Sequence, residues 1–256
     1  MYEIFPIPAF NDNYIWAIIH PNVNQCIIVD PGDAAPVIDF LEQKHLKMDA
    51  ILITHHHWDH TGGIPELVKH HEVKVYGPAS DHVSRVDFHL KEGDQIEFKE
   101  LKLEFSVLDI PGHTAGHIAF YNDKIAFTGD TLFTAGCGRL FEGTAEQMYQ
   151  SLEKLKKLSP SIQVYCGHEY TEDNLKFAKL VEPNNKTLQQ RIKTTREYRE
   201  HEFPTVPAPL ALELQTNPFL RCQEPEVIQA AEHHAGKSLS DPVQVFATLR
   251  QWKTRS

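Results

Sequence analysis

The sequence predicts an α+β protein in which a mixed-sheet domain is followed by a small all-helical domain. Three observations predict it. Up to residue 168, short runs rich in β-branched and aromatic residues are bounded by Gly, Pro, Asn or Asp and alternate with helix-like segments. Beyond His168 the spacing becomes helical, without strand-like alternation, and is broken by proline-marked loops. No run approaches the ~20 apolar residues that span a bilayer, so the hydrophobic residues serve an interior.

In chain order, Tyr14–Ile19, Gln25–Val29, Asp49–Thr54, Val73–Gly77, Ile118–Tyr121, Lys124–Thr128 and Gln163–Cys166 read as strands. Leu101–Ile110 alternates apolar and polar residues along its first half, as a half-exposed strand does. The N-terminal M-Y-E-I-F-P-I-P-A-F is broken by prolines and is read neither as a strand nor as a secretory signal. Helices are expected at Ala35–Lys44, Thr61–His70 and Thr144–Leu158, the last opening T-A-E-Q as a capping box. Thr171–Val181 and Thr187–His201 follow, then the proline-rich link F-P-T-V-P-A-P-L. A final helix begins at Asp241-Pro242, an acidic cap before a first-turn proline. The domain boundary is placed at residue 172, giving residues 1–172 and 173–256.

Composition excludes several function classes. A hydrophobic fraction of 41% with 23% charged residues is that of an ordinary globular protein. The formal charge of -10 argues against nucleic-acid or anionic-membrane partners, which require a basic surface. Cys26, Cys137, Cys166 and Cys222 form no C-x-x-C pair and read as reduced, buried thiols, so a cytoplasmic location is expected. There is no G-x-S-x-G elbow and no G-x-G-x-x-G or G-K-[ST] loop.

The chemistry lies in Thr54–Gly63, T-H-H-H-W-D-H-T-G-G. His55 and His57, two apart at a strand end, face the same way and can grip one ion together. His56 then points away, toward packing or hydrogen bonding. Asp59 and His60, at the following turn, can reach a second ion. Three further strands each deliver a ligand-type residue after a glycine: Gly112-His113, Gly129-Asp130 and Gly167-His168. Nitrogen and oxygen donors of this kind suit zinc, iron or manganese.

The pattern T-H-x-H-x-D-H followed by later His, Asp and His resembles the metallo-β-lactamase superfamily. Within it the chain closely resembles the glyoxalase II, or hydroxyacylglutathione hydrolase, family. The resemblance rests on V-D-P-G at 29–32, P-G-H-T at 111–114, T-G-D-T at 128–131, G-C-G-R at 136–139, C-G-H-E-Y-T at 166–171, N-P-F at 217–219 and the basic C-terminus. It implies a four-layer αβ/βα sandwich with a helical C-terminal domain. It implies one metal on His55, His57 and His113, another on Asp59, His60 and His168, and Asp130 bridging them, with Asp30 supporting a ligand. It further implies that a metal-bridging hydroxide attacks a glutathione thioester, in the second step of methylglyoxal detoxification.

Arg139, Phe141, Tyr170, Arg250 and Lys253 match the family's glutathione contacts. The family often has Lys at position 139 and Tyr at 141, so Phe141 lacks a hydroxyl. Loss of Arg250 is expected to act mainly on KM. Two divalent ions, zinc foremost, and a small-molecule glutathione thioester are the expected cofactor and partner, with a monomer the expected state. The nearest rival reading is a glutathione-persulfide dioxygenase-like enzyme with a single iron, and a non-catalytic metal-binding module is the rival from another class.

Overall fold

The computed structural model describes residues 2–255. One sheet has the order β1 (Glu3–Ala9), β2 (Asn13–Ile19), β3 (Gln25–Val29), β4 (Lys47–Leu52), β5 (Lys74–Pro78), β6 (Phe88–Leu90). Its β1–β2–β3 part is antiparallel and the rest parallel. The second sheet is built from β7 (Gln95–Phe98), β8 (Leu103–Asp109), β9 (Ile118–Tyr121) and β10 (Ile125–Gly129). A small hairpin, β11 (Leu132–Phe133) and β12 (Gly136–Cys137), follows before β13 (Gln163–Cys166) and β14 (Ala208–Pro209) complete that sheet. The first two thirds also carry α1 (Ala34–Lys44), α2 (Trp58–Thr61), α3 (Ile64–His70) and α4 (Ala145–Lys156). The remainder is α5 (Thr171–Val181), α6 (Lys186–Glu200), α7 (Leu210–Thr216), α8 (Pro225–Ala235) and α9 (Pro242–Arg255).

The sheets stack face to face because both sides of their strands are apolar. In β2, Trp16 and Ile18 point into the space between the sheets, while Ile15 and Ala17 point outward to the helices. Phe105, Phe120 and Phe127 fill the inter-sheet layer and are fully buried, each contributing roughly 1.5–3 kcal/mol of hydrophobic stabilisation. Val37 and Leu41 of α1, with Ile64 and Leu67 of α3, cover the first sheet. Met148 and Leu152 of α4 pack on Ile110, Ala119 and Val164 at the back of the second. The result is the expected four-layer αβ/βα sandwich. Phe177, Phe219, Phe246 and Leu249 of the C-terminal third belong to that same outer core, so the helices fuse onto the sandwich. Among the described residues no helix is long and apolar enough to cross a membrane.

Local signals behave as their chemistry dictates. Thr144 caps α4 in a complete capping box, and Asp241 accepts the Gln244 N–H at 2.9 Å. Several elements depart from the sequence reading. β1 forms despite Pro6 and Pro8 because it is the sheet's edge, where a missing N–H costs little. The expected helix over 61–70 is two short helices parted at Gly62-Gly63, where a Cβ would meet the backbone of Gly32, Pro31 and Ala34 within 2.7 Å. The C-terminal part is not purely helical, since β14 pairs antiparallel with β13. Finally, α7 and α8 follow the proline-rich link, where no helix is read from sequence.

Topology gathers the strand ends. β8 is antiparallel to β9, β9 to β10, and β10 is parallel to β13, so β8, β10 and β13 run the same way and finish at one edge. The end of β4 joins them, as the Ile118 N–H donates to the Thr54 carbonyl at 2.9 Å.

Candidate metal centre

The seven expected ligands converge at this edge. His55 Nε2 and His113 Nε2 lie 3.2 and 3.0 Å from His57 Nδ1. His60 Nε2 is 3.3 Å from His168 Nε2, and both are 3.5 Å from Asp59 Oδ2. Asp130 sits between the sets: Oδ1 is 3.4 Å from His60, and Oδ2 is 3.4 Å from His113 and 3.3 Å from His168. A tetrahedral ion with bonds of 2.0–2.1 Å has donor–donor edges of about 3.3 Å, so the spacing fits. Asp130 Oδ1 is buried without a hydrogen-bond partner, a costly arrangement unless a cation satisfies it.

The outward ring nitrogens are held by acceptors, which turns the other nitrogen's lone pair inward. His60 Nδ1 donates to Asp30 Oδ2 at 3.1 Å, His113 Nδ1 to the Arg139 carbonyl at 2.9 Å, and His168 Nδ1 to Asp12 Oδ1 at 2.7 Å. Thr54 Oγ1 gives its proton to Asp30 Oδ2 at 2.7 Å and therefore accepts from His55 Nδ1 at 3.0 Å. Asp30 also takes the Thr54 N–H at 2.8 Å, so it stands behind the ligands as expected. His56 faces away, between Asp81 and Glu142.

Two glycines are required by close approach. Gly129 has φ +47, and a Cβ there would lie 2.4 Å from Thr54 Oγ1. At Gly167 a Cβ would come within 2.6 Å of both Asp130 Oδ1 and His60 Cε1, filling the centre itself.

Charges differ across the site. Burial disfavours an imidazolium at His60, but Asp130 and Asp30 outweigh it and raise its pKa to about 10. His168 is likewise opposed by burial but raised to about 11 by Asp130, Asp59 and Asp12. Burial holds His55 and His113 below the ordinary histidine value. Asp130 is pushed up by burial yet kept well below the carboxylate range by His168 and His60. In the metal-free protein, protons on His60 and His168 thus balance the carboxylates, and cations must displace them.

The centre opens into a cavity of about 650 Å³ bordered by Arg139, Phe141, Tyr170, Arg250 and Lys253. Tyr170 stacks on His168 with centroids 4.7 Å apart, and Phe141 sets its edge against His57 and His113 at 5.5 and 5.2 Å. Arg250 is only 5% exposed and donates from Nη1 to the Cys137 carbonyl at 2.7 Å. Lys253 Nζ donates to Asn174 Oδ1. The four cysteines are free and buried.

Two family models divide the chain between them. Residues 11–168 match the metallo-beta-lactamase superfamily, and residues 169–256 match the hydroxyacylglutathione hydrolase C-terminus. The hydroxyacylglutathione hydrolase of Nitrosomonas europaea is 53% identical over 99% of this chain and 96% of its own length. That of Alkalilimnicola ehrlichii is 54% identical over the whole of both chains. The chain belongs to the hydroxyacylglutathione hydrolase family of the metallo-β-lactamase superfamily. A solved structure of TTHA1623 in a di-iron-bound form is similar in fold, with a TM-score of 0.58 and 25% identity over 84% of this chain and all of that one. Family membership and the paired His/Asp clusters together support a dinuclear metal site here.

The sequence leaves several supporting residues unseen. Asp12 and Thr54 anchor His168 and His55, and Asn13 Nδ2 donates to Asp59 Oδ2 at 3.0 Å. His117 is fully buried, stacks 4.6 Å from His55 and accepts the Asp130 N–H at 3.1 Å. Thr54 opens the T-H-x-H-x-D-H motif and His117 closes H-T-A-G-H, whereas Asp12 and Asn13 carry no such local signal.

Proposed function

We propose that this chain is a two-metal thioester hydrolase cleaving S-(2-hydroxyacyl)glutathione, such as S-D-lactoylglutathione, to glutathione and a 2-hydroxy acid. The observation that carries the reading is one cavity lined by His57, Asp59, His113, Asp130 and His168 of the seven-ligand centre and by three cationic side chains. His55, His57 and His113 would hold one ion, Asp59, His60 and His168 the other, and Asp130 both. Bound there, two divalent cations supply a water whose pKa falls to about 7 and stabilise developing negative charge. We take zinc as the occupant, with iron or manganese also suited to these donors.

Hydrolysis breaks the thioester C–S bond, adds water's oxygen to the carbonyl carbon and returns a proton to sulfur. Cys137 borders the cavity, but burial pushes its thiol up and Arg250 only partly offsets this, so it is no rival nucleophile. Arg139, Arg250 and Lys253 are proposed to bind the glutathione carboxylates, with Tyr170 and Phe141 flanking the thioester. In this division residues 1–172 carry the reaction centre and Arg139, and residues 173–256 add Arg250 and Lys253 to the cationic edge, in a cytoplasmic monomer.

A steady-state assay on S-D-lactoylglutathione with metal analysis of the same sample tests the proposal. The expected outcome is a kcat/KM on the order of 10⁴ M⁻¹ s⁻¹ or above, with two ions per chain. One iron per chain with oxygen uptake on glutathione persulfide would select the dioxygenase reading, which the fully assembled second ligand set disfavours. Metal without turnover would leave only a binding module.

Two substrate-side predictions follow from the cavity. Burial, then the adjacent Arg250, hold the Lys253 ammonium down at about 8. A carboxylate binds the protonated form, so KM is expected to rise as pH passes 8, by up to about tenfold at pH 9, with kcat nearly flat. Lys253→Arg should remove the rise, and a KM profile unaltered by that change rejects this role for Lys253. Phe141 is 63% exposed at the cavity mouth. Phe141→Tyr, restoring a hydroxyl worth about 0.5–1.5 kcal/mol, should lower KM by a factor of a few, as substrate-saturation curves will show.

A further inference from the structure

We propose that Asp81 is a positioning residue that clamps together the two chain segments supplying His55, His57 and His113. It comes from neither segment, lying in the turn between β5 and β6, and is 8% exposed. Its Oδ2 accepts the backbone N–H of His56 at 3.2 Å and the Thr114 hydroxyl at 2.9 Å, and its Oδ1 accepts the Gly116 N–H at 3.0 Å. His56 lies between two ligands of the first set, and Thr114 directly follows the third. One carboxylate thus fixes the distance between a ligand pair and a ligand that are 56 residues apart in the chain.

The approach is close enough to dictate sequence. A Cβ on Gly116 would lie 2.6 Å from Asp81 Oδ1 and 2.5 Å from the Ser80 carbonyl carbon. Beside the clamp, His56 Nε2 is 3.2 Å from Glu142 Oε1, while its buried Nδ1 lies 3.1 Å from Asp81 Oδ2 without a hydrogen bond. Glu142 in turn accepts the Ala115 N–H at 2.8 Å. Three donors already occupy the Asp81 oxygens, which gives this carboxylate the role of a brace. Asp59, His60 and His168 take none of these bonds. The clamp therefore acts on one half of the centre, an asymmetry that a general loss of stability would not produce.

The inference rests on the two-metal reading, and its test separates the two. Full-length metal-free wild type and Asp81→Ala are titrated with zinc against a competing chelator, and anomalous diffraction at the zinc edge reads the occupancy of each position. Wild type holding fewer than two ions would overturn the two-metal reading itself. With two ions in wild type, Asp81→Ala is expected to weaken the ion on His55, His57 and His113 about 10–100-fold and to leave the other within about twofold. Equal weakening at both positions, or none at either, would overturn the clamp. Should Asp81→Ala fail to fold, Thr114→Val removes a single donor and should weaken the same ion several-fold. Unchanged affinities in that variant would also overturn the proposal.

Discussion

Replacing Asp130 by alanine is expected to lower kcat/KM by at least about a thousandfold, or roughly 4 kcal/mol of transition-state stabilisation, and to strip metal from the protein. Among the described residues the carboxylate is the one side chain placed within 3.4 Å of ring nitrogens from both candidate ligand sets, His113 on one side and His60 and His168 on the other. Removing it leaves inward-facing imidazoles without the anion that offsets bound cations. The backbone hydrogen bonding does not depend on the side chain, since Oδ1 makes no hydrogen bond and the backbone N–H to His117 survives the change. Activity and metal content should therefore fall together while the circular dichroism spectrum stays that of wild type. Asp130→Asn separates shape from charge and should fall in the same direction. Wild-type turnover in either variant would end the two-metal scheme.

The clustering of the candidate ligands was legible because five of the seven obey a local rule. A short apolar strand ends, a glycine turns the chain, and a His or Asp follows; at His55 and His57 the two-residue period of an extended backbone supplies the pair. The Gly129 and Gly167 contacts show why glycine is needed at those turns. Layer order was readable only through family resemblance, since both faces of β2 are apolar and periodicity cannot say which faces the second sheet. Of the supporting shell only Asp30 was legible, through the family resemblance. Asp12 acts on His168 across 156 residues, and Asp81 acts on Gly116 across 35, so no local pattern links either pair. The strand at β1 was hidden for the opposite reason: Pro6 and Pro8 are local signals against a strand, overruled by an edge position that only the folded sheet defines.

Arg250 shows what burial adds to a motif. Read from sequence it is a cation on the last helix, and its removal should act mainly on KM. In the fold it is a buried brace as well. Its Nη1 donates to the carbonyls of Cys137 and Gly138 at 2.7 and 3.4 Å, its guanidinium lies 5.3 Å over the Phe219 ring, and its Nε is buried without a partner. The segment it holds leads directly to Arg139, whose carbonyl anchors His113 Nδ1. Arg250→Ala is therefore expected to raise KM by about 10–100-fold, the 1.5–3 kcal/mol of a hydrogen bond to a charged group, and also to lower kcat several-fold. The kcat loss has a separate origin: two carbonyls lose their donor, and the His113 anchor loosens. Saturation kinetics on a glutathione thioester and on a short acyl thioester lacking the glutathione carboxylates distinguish the two effects. The KM defect should appear only with the glutathione substrate, and the kcat defect with both. A pure KM change would mean that the brace to Cys137 is idle, whereas wild-type kinetics on both substrates would place glutathione elsewhere in the cavity.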